Sequence, residues 1–283
     1  MRPAPFELLR PHTKQEALEA MGRGATPLAG GQSLLQSMRL GSHAPHTLVD
    51  LAGIEELDGK IDISGETLNV GAKTTHRQFA ENPLVRAHTP WLAQAAAKIG
   101  DVQVRTMGTV LGNLCWADPR ANMAVAMLGS DASVAVSGAE DPAAAELIPL
   151  SEFFVAYQQT TLGKRLACSV HVPFKPNARG VYLEFSRQPQ DLALCNVCVV
   201  RDDDTWRVAT GGIAQRAMRL NSIEQHLQSF AALPDLNQFL LEDLSLTPPD
   251  DAFGDRAYKM QLAGTLLRRA VALLLNVETR ETR

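Results

Sequence analysis

Apolar positions recur at helical spacing in "HTKQEALEAM", with Thr13 placed to cap, and predict a first helix. "ATPLAGG" reads as a strand running into a turn, "QSLLQSMRLG" as a short helix halted by Gly41, and "HTLVDL" as a further strand. Alternating runs on either side of Gly65 in "KIDISGETLNVGAKT" predict a hairpin. "PWLAQAAAKIG" follows as a helix ended by a glycine, and "MAVAMLGSDASVAVSG" as a helix and then a strand. At 174–180, "FKPNARG" carries the proline, asparagine and glycine of a connector. Behind it come the strand-like runs "VYLEFSR", "LALCNVCVV" and "TWRVATGGIA", and then helices, among them "DRAYKMQLAGTLLRRAVALLLNV". Strands first and helices afterwards predict a small α+β unit.

A chain of 283 residues can bury a substantial core and divides naturally into two domains. Its 45% apolar and 20% charged residues are ordinary for a soluble globular protein. A net charge of −4 favours no polyanion, so nucleic acid is not an expected partner. No apolar run reaches the length of a membrane span, and the opening "MRPAPFELLRPHTKQEALEAM" has no apolar signal core. A cytoplasmic protein is expected. Of four cysteines, Cys195 and Cys198 form "CNVC", which invites a redox or metal reading. In a buried strand, however, positions three apart face opposite sides, and no second cysteine pair or spaced histidine completes a zinc set. Packing is the favoured role. The seven histidines are scattered, and nothing pairs a nucleophile with a base.

The chemistry-bearing stretches are two glycine turns. In "PLAGGQSLLQSM", Gly30 and Gly31 stand just before a helix start, where backbone N–H groups converge and the helix dipole favours an anion. "MGTVLGN", at 107–113, reads as a second small-residue loop ahead of the turn "ADPRAN". One such turn is commonplace; two in one domain suit a diphosphate gripped from both sides. A P-loop is absent because no Gly-Lys-Ser/Thr follows the glycines. A dinucleotide fingerprint needs three spaced glycines, so Asp50 is read as a strand-end residue and not as a ribose ligand.

The stretches "LAGGQSLLQSMRL…TLVDL", "VGAKTTH" and "IGDVQVRTMGTVLGNLCWADPRAN", with "IPLSEFFVAYQQTTL", "SVHVPF" and "YKMQLAGTLLRRAV", resemble the FAD-binding medium subunits of the molybdenum hydroxylases. Carbon monoxide dehydrogenase and xanthine dehydrogenase-like complexes are members of that family. The resemblance covers nearly the whole chain. It implies an α+β protein with a two-lobed FAD-binding domain of the molybdopterin dehydrogenase (PCMH-like) type at 1–175, its lobes about 1–57 and 58–175. A small α+β C-terminal domain at 176–283, with an antiparallel sheet and helices, would follow.

Carried over position by position, the resemblance implies that Ala29, Gly30, Gly31, Gln32, Ser33 and Leu34 hold the FAD diphosphate. The family's second loop, Thr-Ile-Gly-Gly-Asn, is matched by Thr109, Val110, Leu111, Gly112 and Asn113, with leucine in place of the first glycine. If the backbone there needed positive φ, Leu111 would be strained by about 1–2 kcal/mol; if it needed only room, the side chain would crowd the cofactor. In the family's Asp-Pro-x-x-Asp the last Asp holds a ribose hydroxyl; here Asp118 opens the motif and Asn122 closes it, losing the charge. Asp118 is expected to fix the turn. Ile99 takes the place of an apolar residue beside the flavin ring, Ala167 that of a larger aliphatic contact, and Ser186 that of a lysine near the flavin.

The function implied is an electron-transfer subunit. Electrons would come from a large molybdenum-cofactor subunit through a small [2Fe-2S] iron–sulfur subunit to FAD, and pass on to an external acceptor. No metal ligand set is expected in this chain. Two alternatives stay open: an assembly subunit whose four pocket departures have weakened or abolished FAD binding, and a stand-alone flavin oxidoreductase.

Overall fold

The computed structural model describes residues 3–203, 205–229 and 254–281. Strand β1 (Glu7–Leu9), helix α1 (Lys14–Gly22), β2 (Thr26–Leu28), α2 (Leu34–Leu40) and β3 (Thr47–Asp50) form the first unit, with a parallel sheet ordered β1-β3-β2. Its local signals are those read in the sequence. Thr13 Oγ1 accepts the amide of Glu16 at 3.2 Å, Gly41 closes α2 with φ 78°, and Asp50 ends its strand by accepting the amide of Ala52.

The second unit opens with the hairpin of β4 (Ile61–Ser64) and β5 (Thr67–Gly71), turning at Gly65. Six helices follow: α3 (His76–Glu81), α4 (Pro83–His88), α5 (Pro90–Ala97), α6 (Val102–Met107), α7 (Val110–Trp116) and α8 (Asn122–Gly129). Asn82 and Thr89 stand before prolines at the first helical position, which cuts this stretch into short pieces. Helix α8 is buried along its whole length and is correspondingly apolar all round. Then come β6 (Ser133–Ser137), β7 (Glu146–Pro149), α9 (Leu150–Phe153), the small pair β8 (Phe154–Ala156) and β9 (Gln159–Thr160), and β10 (Leu166–Pro173). The antiparallel sheet β4-β5-β10-β6-β7 carries this unit.

The last unit is the antiparallel sheet of β11 (Arg179–Phe185), β12 (Cys195–Asp202), β13 (Thr205–Gly211) and β14 (Met218–Arg219), with α10 (Asn221–Gln228) and α11 (Arg256–Glu281). The fold is the α+β arrangement expected. Cys195 packs with Val197, Val199 and the apolar face of α11, whereas Cys198 belongs to the core shared with α8. The "CNVC" pair therefore points to opposite faces of one buried strand, as strand periodicity requires. Burial pushes both thiols up to about 12. Where β11 lies on α5, Gly180 leaves room for the Trp91 indole, whose Nε1 donates to Ser130 Oγ at 2.8 Å. No helix among the described residues is long and apolar enough to cross a membrane.

Candidate functional site

Two chain segments that lie far apart in sequence meet at the glycine turns. A Cβ on Gly30 would overlap Met107 O and stand 2.8 Å from Gly108 Cα, so the turn after β2 lies backbone to backbone on the turn between α6 and α7. A Cβ on Gly108 would be 3.5 Å from Gln32 Cγ, and one on Gly112 3.8 Å from Ala29 Cβ. Gly31 has φ 72°, a conformation that costs a side-chain-bearing residue about 1–2 kcal/mol. Ala29, Gly30 and Gln32 therefore lie against Met107, Gly108 and Gly112, which brings the 29–34 turn onto the 109–113 stretch.

The second stretch is not a loop. Thr109 accepts the Gly112 amide on its side chain at 3.1 Å and caps α7, so Val110, Leu111, Gly112 and Asn113 form the first helical turn. This corrects the loop reading: Thr109 was the cap signal, and the glycine inside the turn masked it. Leu111 carries no positive φ, and its side chain, 4% exposed, packs in the core beside Val110 and Leu114. Its backbone is not strained. Gly112 has its own reason to be glycine, since a Cβ there would stand 2.6 Å from the capping Thr109 hydroxyl.

Both turns present helix N-termini, whose first amides have no intrahelical acceptor. In α2 the helical ladder begins with the Leu35 amide donating to Gly31 O at 3.0 Å, and the Ser33 hydroxyl makes no capping bond. Helix α3 braces the cradle. The His76 amide donates to Gly108 O at 2.9 Å and the Val110 amide to Thr74 O at 3.0 Å. Around this seam Thr74 Oγ1, His76 Nδ1 and Asn113 Oδ1 are buried without a hydrogen-bond partner. Burial, and secondarily the Arg105 guanidinium, lower the His76 pKa to about 4, so the ring is neutral near pH 7. Arg105 also ties down the next loop, donating from Nη1 to Ile99 O at 2.9 Å and Gly100 O at 2.8 Å. Two helix starts, three buried polar atoms without partners and the Arg105 cation thus lie around one seam. Thr74 and His76 were not singled out in the sequence, although "VGAKTTH" carries them and Thr75 and Gln78 form a capping box.

The remaining candidates are placed elsewhere. Asp118 accepts the Arg120 amide at 2.9 Å and the Arg120 Nε and Nη2 groups at 3.2 Å, so it fixes the turn as expected. Asn122 is 5% exposed at the start of α8; its Nδ2 lies 3.4 Å from Ala95 O and 2.7 Å from Glu184 Oε2. Ile99 is half-buried against the core, and Ala167 is buried in β10 next to a register shift at Cys168. Ser186 is half-buried just after β11. Among the described residues, no group of three or more His, Cys, Asp or Glu side chains is arranged to hold a metal ion.

Comparison with known proteins places the chain in a family. The family described as the FAD binding domain in molybdopterin dehydrogenase matches residues 4–175, and the CO dehydrogenase flavoprotein C-terminal domain matches 180–274. The chain is 28% identical over 281 residues to the glyceraldehyde dehydrogenase medium chain of Sulfolobus acidocaldarius, covering 95% of this chain and 98% of the relative. It is 30% identical over 284 residues to the carbon monoxide dehydrogenase medium chain of Hydrogenophaga pseudoflava, covering 96% and 97%. A solved structure of carbon monoxide dehydrogenase from Hydrogenophaga pseudoflava superposes with a TM-score of 0.89 at 29% identity, over 96% of this chain and 98% of that one. The chain therefore belongs to the FAD-binding medium subunits of the molybdenum hydroxylases, an oxidoreductase family with FAD as cofactor.

Proposed function

We propose that the chain is the flavin relay of a multi-subunit molybdenum hydroxylase. It would take electrons from a small [2Fe-2S] subunit, itself fed by a large molybdenum-cofactor subunit, and deliver them to an external acceptor. The observation that carries this reading is the convergence of two helix N-termini on one backbone-to-backbone cradle. FAD, when bound, supplies the redox chemistry between one-electron and two-electron partners. The chain's own residues bind and orient it. In our reading the amides of Gly31 to Leu34 and the Ser33 hydroxyl hold the diphosphate, with the start of α7 set against them and its own Val110 and Gly112 amides committed to Thr74 O and Thr109 Oγ1. Arg105 sets the Ile99–Gly100 loop, which would lie beside the ring, and Asp118 stiffens the turn into α8. We also divide the chain at 175/176 into a cofactor domain and a C-terminal α+β domain.

The departures from the family pattern do not favour the assembly-subunit reading. Leu111 is accommodated in the core, and the Asn122 Nδ2 group has two acceptors, Ala95 O and Glu184 Oε2. The test is the visible spectrum of the purified chain and of its co-expressed complex, with the cofactor released and identified by chromatography. Near-stoichiometric FAD supports the relay. A folded complex that stays colourless with excess FAD refutes it.

A further inference from the structure

Between the two thiols of "CNVC" stands an asparagine, in a strand whose other buried positions are almost all apolar. Asn196 is fully buried on β12, on the face that Cys198 turns toward α8. Its Nδ2 group donates to Arg120 O at 3.0 Å and to the Tyr182 hydroxyl at 3.1 Å. Arg120 O can only accept, which fixes the amide orientation and leaves Asn196 Oδ1 buried without a partner. A buried acceptor of this kind is destabilising, and an apolar side chain here would leave none. The residue breaks a local rule, and what it gains by doing so is the contact with Arg120.

Arg120 lies in the middle of the Asp118–Asn122 turn, which follows α7 and leads into α8. The C-terminal sheet pins this turn at Pro119, at Arg120 and at Asn122. The Gly212 amide donates to Pro119 O at 3.1 Å, Asn196 holds Arg120 O, and Glu184 Oε2 accepts from Asn122 Nδ2 at 2.7 Å. A Cβ on Gly211 would overlap Pro119 O and stand 2.5 Å from Asn196 Oδ1, so the sheet lies directly on the turn. Tyr182 couples two of the pins, because its hydroxyl accepts from Asn196 and donates to Glu184 Oε2 at 2.8 Å. Burial first, and then the Glu184 carboxylate, hold the Tyr182 phenol well above its usual range, so it remains a donor. Lys98 Nζ, 3.7 Å from Glu184 Oε1, pairs with the other oxygen. A side chain whose own contacts are locked on both sides is suited to fixing a neighbour's backbone.

We infer that Asn196 is a positioning residue for the cofactor: from the C-terminal sheet it sets the Arg120 carbonyl, and with it the turn by which α7 passes into α8. The inference rests on the reading that this turn, at the far end of the helix that starts at the glycine seam, serves bound FAD. Trypsin reads the turn directly, since it cleaves after arginine and the Arg120–Ala121 bond is shielded by burial of Ala121. Full-chain N196A, N196S and Y182F are compared with wild type well below every melting point. Both Asn196 variants remove the amide; N196S leaves the smaller gap and carries the test if N196A does not fold. Y182F removes a bond of the same buried network but leaves Asn196 on Arg120 O. Cleavage after Arg120 in FAD-free protein, followed by mass spectrometry of the fragments, should be about tenfold faster in the Asn196 variants and near wild type in Y182F. The FAD dissociation constant, from flavin fluorescence, should rise severalfold in the Asn196 variants alone. Wild-type cleavage in those variants overturns the inference. Equal acceleration in Y182F also overturns it, because the network as a whole would then hold the turn. Faster cleavage with unchanged FAD affinity overturns it too, leaving Asn196 a tether of the turn and nothing more. A wild-type complex that binds no FAD overturns the relay reading and this inference with it, an outcome that cleavage rates alone do not produce.

Discussion

Gly30→Ala isolates the contact on which the cradle depends. Gly30 does not have positive φ, so alanine meets no backbone penalty there. The whole effect is contact: the new Cβ would stand 2.8 Å from both Gly108 Cα and the Met107 carbonyl carbon, and would overlap Met107 O. Carbon atoms rest about 3.5–4.0 Å apart, so the two turns must separate by about 0.7 Å or more. All the opposing atoms are backbone, capped on one side by α7 and hydrogen-bonded to His76 on the other, so no side chain can swing away. Overpacking of this kind costs about 1–3 kcal/mol. At roughly 2–4 °C per kcal/mol for a unit of 150–250 residues, the melting point should fall by about 2–12 °C. FAD affinity should fall as well, because the displaced amides belong to the proposed diphosphate site. Gly65→Ala is the control. It has φ 61° with open space around it, so it should cost about 1–2 kcal/mol and leave FAD binding alone. A Gly30→Ala protein that melts like wild type and binds FAD equally well would refute the cradle geometry.

Leu111→Gly, which restores the family residue, should destabilise by about 3–6 kcal/mol through an emptied core site and a helical glycine, without raising FAD affinity; thermal melts and FAD titration check both. His76 has a folded pKa of about 4 against 6.5, so the unfolded chain binds the proton more readily and the contribution present above about pH 6.5 is lost as pH falls to about 4. The loss approaches about 3 kcal/mol, and His76→Asn should flatten this acid limb in urea midpoints taken from pH 7 to 4; an unchanged limb would exclude His76 as its source. Cys115, Cys195 and Cys198, with thiols pushed up to about 12 chiefly by burial, should resist a thiol-specific reagent in the folded protein and react after unfolding.

Local chemistry was legible where one residue carries the signal. Thr13, Gly41 and Gly65 mark helix start, helix stop and hairpin without help from the rest of the chain. The face alternation of Cys195 and Cys198 also follows from strand period alone. Features that depend on long-range pairing were not legible. The start of α7 at Val110 hides behind Gly112, whose presence a loop explains as readily as a cap that admits no Cβ. The role of His76 needs Gly108 beside it, more than thirty positions on. Asn122 reads in sequence as a lost charge, because Glu184 is reached only when β11 packs on the start of α8.

The two glycine turns carry the same ambiguity to its end. Glycine beside a helix start reads as space cleared for phosphate, yet at Gly30 the nearest claimant to that space is the carbonyl of Met107. The two demands are nested. The backbones touch at Gly30, which sets the start of α2 against the turn that leads into α7, and Gly31 beside it takes φ 72°. A side chain at Gly30 would therefore damage the proposed anion site without entering it, by parting the two turns that compose it. Loss of FAD in Gly30→Ala is accordingly expected to come with loss of stability.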